Sequence, residues 1–69
     1  MVNYVLNMVE KFGNSTNDEW CILVPSSEVD GISEALADYV SKEELDWLEY
    51  DIQPLMNSTD YIVRLSTYW

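Results

Sequence analysis

The sequence predicts an α+β domain: a three-stranded antiparallel sheet with two helices on one face, in the order β-β-α-α-β. Three observations lead there. The runs "EWCILV" (19–24) and "YIVRLSTYW" (61–69) are short, rich in β-branched and aromatic residues, and bounded by turn residues or proline. Between them, from Pro25 to Val40, the apolar spacing lengthens to that of a helix. The 69 residues are 48% hydrophobic and include three Trp and five Tyr, enough buriable area for one small core and one domain, 1–69.

Residues 2–10, "VNYVLNMVE", alternate Tyr4, Leu6 and Met8 against Asn3, Val5 and Asn7, which predicts a first strand. "KFGNSTND" supplies Gly13 and small polar residues for a turn. "EWCILV" is nearly all apolar and predicts a strand central in its sheet, ended by Pro25. Its Cys21 is expected as a packed, inert thiol, and a lone cysteine permits no intrachain disulfide.

Val29, Ile32, Leu36 and Tyr39/Val40 share one helical stripe, with Ser26 or Ser27 placed to cap its start and Gly31 a local weakness. Ser41 with Glu44 three residues on matches a capping box, so a second helix is predicted with Leu45, Leu48 and Ile52 inward and Pro54 at its end. The closing strand alternates Tyr61, Val63 and Leu65 against Ile62, Arg64 and Ser66, and is expected to pair with the first strand, away from the second. "NST" occurs at 14–16 and 57–59; turn chemistry accounts for both better than glycosylation does.

Most catalytic chemistry lacks its parts. There is no His, one Cys and three basic residues, so no nucleophile–base set, thiolate or imidazole zinc site, or phosphate cradle can be assembled. Residues 26–37 put Glu28, Asp30, Gly31 and Glu34 at calcium-loop positions, but Ser26 opens the stretch and Ala37 stands where a bidentate Glu is needed. No enzyme activity, cofactor or metal is expected. No signal peptide or membrane-spanning run is visible, so a cytoplasmic monomer or small homo-oligomer is expected.

Charge is the outlier. Thirteen acids against three bases give a net charge of −10 and a pI near 4.1. Such a chain repels nucleic acid and anionic membranes and favours basic protein surfaces. Asp30, Glu34 and Asp38 recur at i, i+4 and i+8, a row with about 6 Å of rise per step that repels itself. If the second helix turns Leu45, Leu48 and Ile52 inward, Trp47 and Tyr50 point outward beside Glu43 and Asp51. They are then either a second packed side or an aromatic anchor in an acidic ring. The candidate partner-binding set is Glu28, Asp30, Glu34, Asp38, Glu43, Glu44, Asp46, Trp47, Glu49, Tyr50 and Asp51.

A very short chain with a concentrated acidic surface and no catalytic residues resembles the phage-encoded anti-CRISPR proteins, several of which mimic DNA on Cascade or Cas9. The resemblance spans the chain in size, charge and element order, and no sequence motif carries it. It implies a partner: the basic surface of a nucleic-acid-handling complex, such as a CRISPR effector in the bacterial cytoplasm, blocked by occupancy. The alternative is a small acidic regulatory or interaction module, antitoxin-like or a phage accessory protein, whose acidity serves solubility.

Overall fold

Val2, Val5, Val9 and Phe12 lie three or four residues apart, so a helix gathers all four on one side where a strand would divide them. In the computed structural model, which describes residues 1–67, this segment is helix α1, Val2–Gly13. Val5, Val9 and Phe12 are each 1% exposed, whereas Tyr4, assigned inward by the alternating pattern, is 52% exposed. The expected first strand is therefore corrected: a strand with Tyr4, Leu6 and Met8 inward would have turned Val5 and Val9 to water.

Strand β1 (Glu19–Pro25) follows, then a single 3₁₀ turn (Ser26–Glu28) and helix α2 (Val29–Lys42). The α2 stripe is as predicted, with Ile32 and Leu36 fully buried. Neither Ser26 nor Ser27 caps it: Glu28 stands at the N-cap without a side-chain hydrogen bond. Strands β2 (Leu48–Pro54) and β3 (Asp60–Thr67) complete the order α-β-α-β-β. Tyr68 and Trp69, expected in the last strand, lie outside the described residues.

The expected second helix is also corrected. Leu48, Tyr50 and Ile52 alternate with Glu49, Asp51 and Gln53, a strict period of two that suits a sheet covered on one face. Leu45, Leu48 and Ile52 mimic a helical stripe only because odd and even spacings overlap over so short a run. The apparent cap is the end of α2. Glu44 N–H donates to Ser41 O at 3.4 Å and Leu45 N–H to Val40 O at 3.1 Å. With Glu44 at φ 51°, these are the paired bonds of a Schellman turn.

The sheet order is β1-β3-β2, both pairings antiparallel, with Ile22 and Ile52 flanking Val63. Thus β1 is an edge strand, not the central one, and β3 sits between two partners. Cβ alternation sends Trp20, Ile22, Val24, Leu48, Tyr50, Ile52, Val63 and Leu65 towards the helices, and the opposite face stays open. Outside the β1–β3 pairing, Ser26 N–H donates to Thr59 O, and Thr67 N–H to Asp18 O, both in register with the ladder. Glu19, Cys21, Leu23 and Pro25 must then turn their backbone groups to the free edge. In β2 the bond from Leu55 N–H to Asp60 O makes the odd residues the bonded ones, turning Leu48, Tyr50, Ile52 and Pro54 outward. Both prolines thus sit where no ladder donor is required.

Two glycines make opposite predictions. A Cβ on Gly31 would meet only Val2 Cγ2, at 3.8 Å. Gly31→Ala is expected to stabilise by about 0.5–1 kcal/mol through helix propensity. A Cβ on Gly13 would lie 3.0 Å from Cη2 and Cζ2 of Trp47. Trp47 packs on Phe12 and the core, which resists the shift a Cβ would demand, so Gly13→Ala should lower the melting temperature where Gly31→Ala raises it, a contrast that thermal denaturation of both variants checks.

Candidate functional site

Eleven of the thirteen acids are exposed; Glu28 and Asp60 are half-buried. The fold distributes the candidate set over three places. Asp30, Glu34 and Asp38 stand exposed along α2, because the buried stripe of Ile32 and Leu36 fixes the helix's rotation. The row's next position is Lys42, whose Nζ is 3.8 Å from Asp38 Oδ2; both groups are well exposed, so the pair contributes little. Glu28 stands apart from the row, its Oε1 3.6 Å from the N-terminal ammonium.

Glu43, Glu44 and Asp46 follow in the turn after α2 and are all exposed. They crowd the negative end of the helix dipole, and Glu44 occupies the left-handed region that glycine normally fills. An unfavourable field and an unfavourable backbone conformation thus coincide at one turn.

Glu49 and Asp51 lie elsewhere. The strand period puts them on the open sheet face, away from α2. There Arg64 stands between its cross-strand neighbours Cys21 and Asp51, and its Nη2 donates to Glu19 Oε2 at 3.3 Å. That bond, with the charges of Glu19 and Asp51, raises the guanidinium pKa further. A shallow depression of about 200 Å³ lies among Glu49, Tyr50, Asp51, Arg64 and Ser66. Reading 48–53 as helical concealed this cluster; its signal was the apolar/polar alternation in 48–53 and 61–66.

Trp47 and Tyr50 are half-buried and packed against the core. The Phe12 and Trp47 rings are 6.1 Å apart, and the Phe12 and Trp20 rings 5.5 Å. Trp47 by its ring contact, and Tyr50 by its packing against the core, belong to the packed side. Trp47, with Val9, Gly13, Tyr39 and Leu45, walls a depression of about 260 Å³ rimmed by Glu10. Burial raises the Tyr39 pKa, and the charges of Glu43 and Glu10 add to it, so the phenol stays protonated at neutral pH.

Cys21 is the other correction. It is exposed, because it occupies an odd position of an edge strand and faces the open side of the sheet. Among the described residues, no group of three or more Cys, His, Asp or Glu is arranged to hold a metal ion, and no helix is long and apolar enough to cross a membrane.

Glu44→Gly is expected to stabilise by about 0.5–1 kcal/mol, since relief of a left-handed non-glycine residue outweighs glycine's entropy. Urea unfolding measures it, and a loss of stability would contradict the Schellman geometry. Cys21 should react with a thiol reagent in the native protein nearly as fast as in denaturant, which a stopped absorbance trace resolves.

No protein family, curated protein or solved structure matches this chain.

Proposed function

We propose that this chain is an anti-CRISPR-type inhibitor. It occupies a basic nucleic-acid-binding surface of a CRISPR effector and keeps DNA out, acting in the bacterial cytoplasm without catalysis. One observation carries the proposal: beyond the exposed row Asp30–Glu34–Asp38 and Lys42, the exposed acids Glu43, Glu44 and Asp46 crowd the turn that ends the same helix, where acid opposes stability. Like charges four apart repel by a few tenths of a kcal/mol per pair. Carboxylates at a helix C-terminus each cost roughly 0.3–1 kcal/mol. A surface serving solubility alone would mix the signs. A helix-borne array of carboxylates at about 6 Å per step can take the place of phosphates in a Lys/Arg-lined channel and release the anions held there.

The second reading, a regulatory or antitoxin-like interaction module, also has an observation behind it. Glu19, Glu49 and Asp51 lie on the sheet face opposite the helices, so acidity is not confined to one side. In that reading the charge keeps the chain soluble and the contacts form elsewhere.

Competition separates them. A CRISPR effector is bound to labelled target DNA, and the chain is titrated in at several salt concentrations. The wild type should displace DNA, less so as salt rises. The variant Asp30→Lys/Glu34→Lys/Asp38→Lys should keep its melting temperature and lose about tenfold or more of its potency. Undiminished potency in that variant refutes the mimic. The chain alone should give no gel shift with DNA at low salt, since three bases cannot neutralise a phosphate backbone.

A further inference from the structure

We propose that the free edge of β1, with the open sheet face beside it, takes up an extended cationic segment of a partner protein as a fourth strand. The backbone comes first. Register turns the N–H and C=O groups of Glu19, Cys21 and Leu23 outward, and among the described residues none of these groups has a hydrogen-bond partner. An edge of this kind is a template for strand addition. Its usual guards are missing from the middle of the strand, where Cys21 and Leu23 are exposed and neither charged nor proline. Pro25 closes the edge at one end, because it has no N–H to offer.

Charge and apolar surface identify the occupant. Glu19, Glu49 and Asp51 surround the single Arg64 on the open face, leaving it net negative. Beside them, next to the edge, Leu23 is 58% exposed and its cross-strand neighbour is Ile62. Residues of an added strand that pair with Glu19, Cys21 and Leu23 fall on this same face. A Lys or Arg opposite Glu19 meets a carboxylate, and an apolar residue opposite Leu23 covers the leucine. A second copy of this chain fits less well. Antiparallel pairing of two β1 edges centred on Cys21 sets each Glu19 against the other copy's Leu23, with no cation supplied and −10 charges brought together twice. The inference is independent of the α2 row, which lies on the helix layer.

Amide hydrogen exchange of the full chain, with and without a capped ten-residue peptide of alternating Lys and Val, tests it. In the free protein Glu19, Cys21 and Leu23 amides should exchange fast, and Trp20, Ile22 and Val24 slowly. Saturating peptide should slow the first three by about tenfold or more. Leu23→Pro, which removes an outward N–H at an unchanged net charge, should abolish that protection. Leu23→Lys, an exposed substitution that leaves the ladder intact, should do the same through repulsion of the peptide. Asp30→Lys/Glu34→Lys/Asp38→Lys should retain it, so failure of the inhibitor reading leaves this result standing. Three outcomes overturn the proposal: no binding, binding without protection of these amides, or protection that rises with protein concentration in the absence of peptide, which would assign the edge to a second copy.

Discussion

The architecture depends on β3 being paired on both sides while only one of its faces is covered. Val63 and Leu65 are completely buried, and each is flanked across the sheet by residues of β1 and β2 that point the same way. Everything else answers to that strand. The helices must supply apolar stripes to one face, which α1 does with Val5, Val9 and Phe12 and α2 with Ile32 and Leu36. The two outer strands must tolerate water on their free edges, and each ends in an outward proline. The face of β3 away from the helices is left to Ile62, Arg64 and Ser66, and so becomes available for contacts outside the fold.

This frame explains why so much negative charge is tolerable. Among the described residues, a core of ten buried hydrophobic residues, with no buried polar or charged side chain, holds no carboxylate that would need a partner. The acids occupy positions that packing leaves free, where water screens their repulsion. The least favourable positions are at the end of α2, where the exposed Glu43 and Glu44 meet the helix dipole and Glu44 lies in the left-handed region. Composition alone does not require that arrangement. Glycine or asparagine at position 44 would close the turn with less strain, and lysine would answer the dipole.

Legibility followed how many periods a segment could satisfy. Helix α2 was readable because Val29, Ile32, Leu36 and Tyr39/Val40 fit a helix and no alternation competes; β3 was readable because its alternation is clean. Helix α1 was not, since Val is a β-former and the same nine residues alternate passably. Tertiary packing decided it, by burying Val5, Val9 and Phe12 together. Strand β2 failed the other way, where a capping-box match at Ser41 and Glu44 disguised a Schellman turn as a helix start. The site inherited both outcomes. Asp30, Glu34 and Asp38 were placed correctly because α2 was. Glu49 and Asp51 moved to the other side of the molecule, Trp47 and Tyr50 into the packed layer, and Cys21 from a central strand to an exposed edge.

These relocations change what the acidic surface can do. A single ring of acids around an aromatic anchor would have implied one compact contact with a hot spot at its centre. The fold instead presents two acidic surfaces on opposite sides of a thin sheet-and-helix sandwich, and among the described residues neither has an exposed aromatic at its centre. The α2 row is a linear array on a regular helix, suited to a partner whose cations are themselves arrayed along a channel. The open face mixes Glu19, Glu49 and Asp51 with Leu23 and Ile62 beside unsatisfied backbone groups, which suits a partner that offers chain as well as charge. Long-range attraction acts on any cationic surface near either side, but it falls off with the Debye length and does not fix orientation. Orientation must come from short-range features, and β1 is where the described residues supply them: directional donors and acceptors at a set register, an apolar step and a proline stop. For the binding proposed above, that edge adds direction and register that further carboxylates on α2 would not.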